Sequence, residues 1–227
     1  MSIKFTLQLG HRPLPEENIQ EIHRRFLEKQ SELDIKEPWK IPDSEKYWPP
    51  KIKPNEISSL LVFNEIPDNK LKGQLSYTIR HPFLMMDRAA EDDMLMLDFD
   101  PNDVAYQELV LELFPKLVIA FDCYRAVIFG DIMPFNEMRK LVDLCNETGK
   151  DVNGRDGVYQ FAPVSFFDRE LCRRAFDLTP KQIVERLQDK VESVYEHENG
   201  VIIIYSSEIL TREQLRSIDG ELKPLLV

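Results

Sequence analysis

Asp98 and Asp100 close the apolar run Met94-Leu95-Met96-Leu97-Asp98-Phe99-Asp100, two carboxylates two positions apart. Carboxylates at that spacing can share a divalent cation, and with Asn102 they begin as a calcium loop begins. The pattern then breaks: Asp103 stands where the loop needs its glycine and Leu109 where it needs its bidentate glutamate. Asp151 and Asn153 start in the same way and fail at Asp156 and Ala162. His11, His23, His81 and His197 are isolated, with no HExxH pair and no GxSxG elbow to supply a nucleophile. The eight glycines form neither GxxxxGKS nor GxGxxG, so no phosphate cradle is expected. These patterns predict no metal site, no cofactor and no catalytic centre.

The charged residues are more informative. Asp87, Glu91, Asp92, Asp93, Asp98, Asp100 and Asp103 fall within 17 residues, with Arg88 as the one base among them. Consecutive carboxylates repel one another, and a basic partner would relieve that repulsion and be steered towards it. The plainer alternative is a solvated loop that aids solubility. A weaker acidic group, Glu192, Glu196, Glu198 and Glu208, surrounds the C-terminal hairpin. Both tryptophans, Trp39 and Trp48, lie in a segment with Pro38, Pro42, Pro49, Pro50 and Pro54. Proline at that density prevents helix or central strand. The segment reads either as a strap pinned by two indoles or as a surface where an indole is a binding anchor.

The elements that would carry these residues follow from periodicity. Ile3, Phe5, Leu7 and Leu9 share one face of a strand that Gly10 ends, and Ile19, Ile22, Phe26, Leu27 and Leu33 recur at helical spacing. Glu16 and Glu17 are expected at that helix's positive end. Ser59–Phe63 and Leu75–Ile79 read as a hairpin, and Met94–Phe99 as a further strand. Asp100 and Pro101 are expected to open a helix to about Phe121, interrupted at Pro115. A strand over Tyr124–Phe129, a helix over Phe135–Glu147 and weaker strands at Val158–Phe161 and Val164–Phe167 follow. Thr179-Pro180 opens an amphipathic helix, Asn199-Gly200 turns a hairpin, and Thr211 with Gln214 signals a last capped helix. Strands and helices do not alternate regularly, so the expected fold class is α+β, a mixed, largely antiparallel sheet with packed helices. The expected seam lies near residue 100, between an N-terminal strand–helix–strand–strand part (1–100) and a C-terminal α+β part (101–227), unless the two form one compact domain.

Composition narrows the function. The net charge of −11, spread over both halves, repels phosphate backbones and anionic membranes, so neither nucleic acid nor membrane is an expected ligand. Cys123, Cys145 and Cys172 are odd in number and widely spaced, as in a reducing compartment. There is no apolar run of membrane-spanning length and no signal-peptide pattern, so a cytoplasmic location is expected.

Two resemblances bear on function. The Met94–Asp100 run resembles the first motif of haloacid-dehalogenase-type phosphatases, which would make one aspartate the nucleophile and the other a general acid beside Mg²⁺. Asn102 replaces that motif's small hydroxyl or valine, and Gly130-Asp131 lacks the second downstream aspartate. In organisation the whole chain resembles the immunity proteins of bacterial polymorphic toxins, particularly those paired with type VI secretion nuclease effectors. The N-terminal strand into an amphipathic helix, the Pro/Trp segment 38–54 and the C-terminal helix–hairpin–helix carry that likeness. It implies a non-catalytic protein that binds and neutralises a cognate toxin with a basic surface. Asp87, Glu91, Asp92 and Asp93 would steer the toxin, with Trp39 and Trp48 as anchors. A Mg-dependent phosphatase using Asp98 and Asp100, or a non-enzymatic adaptor, are the alternatives.

Overall fold

The computed structural model describes residues 4–36, 39–41, 50–63, 71–85, 91–130 and 135–226. Strand β1 (Phe5–His11) is central, because both its neighbours run antiparallel to it: β4 (Asp93–Phe99) on one side and β5 (Arg125–Gly130) on the other. Beyond β4 lie β3 (Leu71–Thr78) and the edge strand β2 (Ser58–Phe63). Beyond β5 lie β6 (Val164–Asp168), β8 (Gly200–Ile204) and the edge strand β7 (Ser193–His197). The result is an eight-stranded antiparallel sheet in the order β2-β3-β4-β1-β5-β6-β8-β7, an α+β fold. Because β1 joins β4 to β5, the sheet passes unbroken across residue 100.

Side-chain alternation assigns two cores to the two faces. Phe5, Leu7, Leu9, Leu75, Leu95, Leu97, Ala126 and Ile128 point to the first face. There α1 (Ile19–Glu32) and the helical stretch 106–120 cover them with Phe26, Leu109, Phe114 and Leu117. Phe167, Val201 and Ile203 point the other way, under α5 (Arg169–Phe176), α6 (Pro180–Leu187) and α7 (Arg212–Leu226). Strands β6 and β8 are buried on both faces, which is why their sequences are nearly continuous apolar runs. On β1 to β4 the second face stays partly open, with Thr6, Gln8, Met94 and Met96 half-buried and Lys72 and Gln74 exposed.

Local chemistry explains the element ends. Asn18, not the preceding glutamates, caps α1: its side chain accepts from the N–H groups of Gln20 (2.9 Å) and Glu21 (3.2 Å). Glu17 is turned inwards instead, towards His11. Helix α6 opens at Thr179-Pro180 as expected, and Thr179 and Gln182 form a capping box there. Thr211 and Gln214 exchange the same reciprocal bonds before α7. Asp100 caps a turn, accepting from the Asn102 N–H at 3.0 Å, and helix begins only at α2 (Tyr106–Glu108). A π-helical segment, Leu109–Leu113, then leads into α3 (Phe114–Ala120), and Pro115 sits in the first turn of α3. Proline has no N–H for the preceding turn, and a wider turn placed before it tolerates that loss.

Two expectations about the second half change. Residues 158–161 form no strand, with bends at 159 and 160. The β7–β8 turn is Glu198-Asn199, with Glu198 at φ 50°, while Gly200 is a strand residue paired with His197. Gly200 is required there by contact: an added Cβ would lie 2.3 Å from the Phe167 carbonyl oxygen and 2.7 Å from the Phe166 ring. Among the described residues, no helix is long and apolar enough to cross a membrane.

Candidate protein-interaction surface

The acidic stretch does not remain one surface. Asp93, on β4, is fully buried and held by Arg80, whose Nη1 and Nη2 donate to its two carboxylate oxygens at 2.9 and 2.7 Å. The Thr78 N–H adds a third bond at 2.9 Å. Arg80 also lies 3.5 Å from Glu17, which bonds His11 at 3.3 Å. Burial alone would lower the His11 pKa, but Glu17, the Asp122 carbonyl and the charge of Asp93 together raise it above its ordinary 6.5. Burial likewise opposes ionisation of Glu17, yet its bonds to His11 and to the Leu14 N–H and the charge of Arg80 lower its pKa.

Asp92 is also internal. Arg155 Nε donates to it at 2.7 Å and the Tyr124 hydroxyl at 2.5 Å, and the side chains of Arg155 and Asp92 are 4% and 6% exposed. Burial raises the Asp92 pKa despite Arg155 and Tyr124. The expectation that Asp92 and Asp93 stand on an exposed steering strip is therefore corrected. Their charges are matched by arginines 63 and 13 residues away in sequence, and a buried carboxylate needs such a partner. Glu91 is exposed, with its backbone carbonyl held by Arg155 at 2.8 Å. Asp87 and Trp48 lie outside the described residues.

Asp98 and Asp100 are similarly occupied. Asp98 accepts a hydrogen bond from the Thr6 hydroxyl across the β1–β4 pair at 2.6 Å, and Asp100 accepts from both the backbone and side-chain N–H groups of Asn102. Among the described residues, no group of three or more His, Cys, Asp or Glu side chains is placed to hold a metal ion.

Trp39 and Asp103 lie together at the opposite end of the sheet from the His11–Asp93 network. The indole is half-buried and meets the Phe99 ring edge-on, 5.5 Å between centroids at 81°. It lines a groove of about 380 Å³ whose apolar wall is Val104, Leu109 and Leu113. The rim carries Asp34, Asp103, Glu108 and Glu112 against Lys36 and Lys116. Lys36 already pairs with Asp34 at 3.6 Å, whereas Asp103, Glu108 and Glu112 make no ion pair among the described residues. The local field is thus acidic above an aromatic and apolar wall. Of the residues lining this groove, the sequence singled out Trp39 as a candidate anchor and placed Asp103 in the acidic stretch, but gave no role to Glu108 or Glu112. A signal was present in the pairs Asp103-Val104, Glu108-Leu109 and Glu112-Leu113, each an acid followed by an apolar residue.

A second exposed feature is α4 (Phe135–Thr148), which has no buried residue. Phe135 (84% exposed), Met138 and Val142 form an outward apolar row. Its link to the body includes Glu137, which accepts from the Tyr159 hydroxyl at 3.3 Å.

The fold has a solved counterpart. The chain is similar over 99% of its length to the Pseudomonas aeruginosa T6SS protein PA0821, covering 76% of that chain with a TM-score of 0.51 and 11% sequence identity. No protein-family model and no curated relative matches the chain.

Proposed function

We propose that this protein is a non-catalytic, type VI secretion-linked immunity protein that binds and neutralises a cognate toxin, a nuclease, in the cytoplasm of the producing cell. The observation that carries the reading is the likeness of nearly the whole chain to a solved protein described as belonging to that secretion system. The charge supports it: a nuclease must present a basic groove to nucleic acid, and a protein of net charge −11 can compete for that groove. Trp39 within an acid-rimmed groove supplies the aromatic anchor that such interfaces favour. Asp92 and Asp93 serve a different end: Asp92 is held by Arg155, 63 residues away, and Asp93, at the start of β4, by Arg80.

The test is co-expression with the product of the adjacent gene. The reading expects that product to be toxic alone, to be tolerated with this protein, and to co-elute with it as a stoichiometric complex. A toxic neighbour that this protein neither binds nor rescues would refute the immunity assignment. A harmless neighbour that binds would favour an adaptor.

A further inference from the structure

Three features converge at the Trp39 groove. Its wall offers the Trp39 indole, half-buried and held in a T-shaped contact with Phe99, with Val104, Leu109 and Leu113 alongside. Its rim offers Asp103, Glu108 and Glu112, none neutralised by an ion pair among the described residues. The helix bearing Glu108, Leu109, Glu112 and Leu113 widens into a π-helical turn at Leu109–Leu113, a distortion that often marks functional sites. A long cationic side chain complements all of this at once. Its methylenes cover the apolar wall, its head lies over the indole face, and the rim carboxylates accept its N–H groups.

We propose that this groove binds an arginine- or lysine-bearing segment of the partner protein, with Trp39 as the platform and Asp103, Glu108 and Glu112 as the acceptors. Arginine fits better than lysine. Its planar guanidinium can stack on the indole and bond two carboxylates together, whereas an ammonium acts as a point charge. The inference rests on the neutralising reading for the identity of the partner but not for the chemistry of the groove, so the two can fail separately.

The test uses the full chain with Trp48→Phe, which leaves Trp39 as the sole indole. Its emission is titrated with a short oligo-arginine peptide, and with oligo-lysine for comparison, at low salt and at about 0.3 M salt. The expected result is a saturable change in Trp39 emission, tighter for arginine. The triple variant D103N/E108Q/E112Q weakens binding by about tenfold or more. A control of equal charge change, E185Q/D189N/E196Q, weakens it by less than about twofold. All six positions are exposed, so each triple should keep the parent's circular dichroism and melting curve. Absence of any Trp39 response, or equal weakening by the two triples, overturns the inference. Either failure alongside an intact complex with the adjacent gene's product would remove the groove and leave the neutralising function standing.

Discussion

Replacing Arg80 by methionine should be among the most damaging single changes available outside the apolar core. Asp93 is fully buried, and Arg80 is 9% exposed at its side chain. Two of the three hydrogen bonds to Asp93 come from Arg80; the third, from the Thr78 N–H, cannot balance its charge. Arg80→Met therefore leaves a carboxylate uncompensated in the sheet end, a loss of about 3–5 kcal/mol. Asp93→Leu alone strands a buried guanidinium that retains Glu17 at 3.5 Å, and should cost less. The double variant removes both charges. Its cost should fall short of the sum of the singles by about 2 kcal/mol or more, the mark of a direct pair. Urea unfolding at neutral pH, followed by circular dichroism with the slope compared across all four proteins, measures each term. An Arg80→Met loss below about 1 kcal/mol, or additive singles, would refute the placement of Asp93 as an internal ion partner.

Three other consequences can be checked by the same unfolding assay. The His11 pKa lies above its ordinary 6.5, so the stability it contributes is complete below about pH 6.5 and is lost as pH rises through the folded-state value. His11→Gln should therefore destabilise more at about pH 5.5 than at about pH 8.5, and the opposite order would contradict the hydrogen bond to Glu17 and the influence of the Asp93 charge. Gly200→Ala must push against the Phe167 carbonyl and Phe166 ring, at a cost of about 1–3 kcal/mol; an unchanged unfolding midpoint would show that the β6–β8 contact is looser than described. Leu97→Ala in the fully buried core should cost about 2–5 kcal/mol, while Phe135→Ala on α4 should change stability by less than about 0.5 kcal/mol. A large loss at Phe135 would mean that α4 packs against the body.

Much of the sheet was legible because one-sided burial writes itself as alternation. Phe5, Leu7 and Leu9 announce β1, Thr179-Pro180 announces the start of α6, and Thr211 with Gln214 announces the start of α7. Strand order was not legible, because β1 meets β4 and β5 across about ninety and more than a hundred residues of chain. The misreading of Asp92 and Asp93 has the same origin. Neighbours in sequence are nearly all acidic, with Arg88 the one base, while the actual partners Arg155 and Arg80 arrive through tertiary structure. Asn199-Gly200 misled by one residue for a different reason. A glycine before a strand can serve a turn or a close approach, and here the approach to Phe167 decides. Trp39 was recognisable from its type and setting. The groove around it depends on how residues 103–116 come to lie beside Asp34, Lys36 and Trp39, a contact between segments about seventy residues apart.

The most direct test of the neutralising account is a calorimetric titration of the adjacent gene's product into this protein and into D103N/E108Q/E112Q, at low and moderate salt. The account predicts stoichiometric binding to the parent, weakened by raised salt and weakened further by the groove triple at low salt. No heat of binding to the parent at either salt concentration, with both proteins folded, would contradict it.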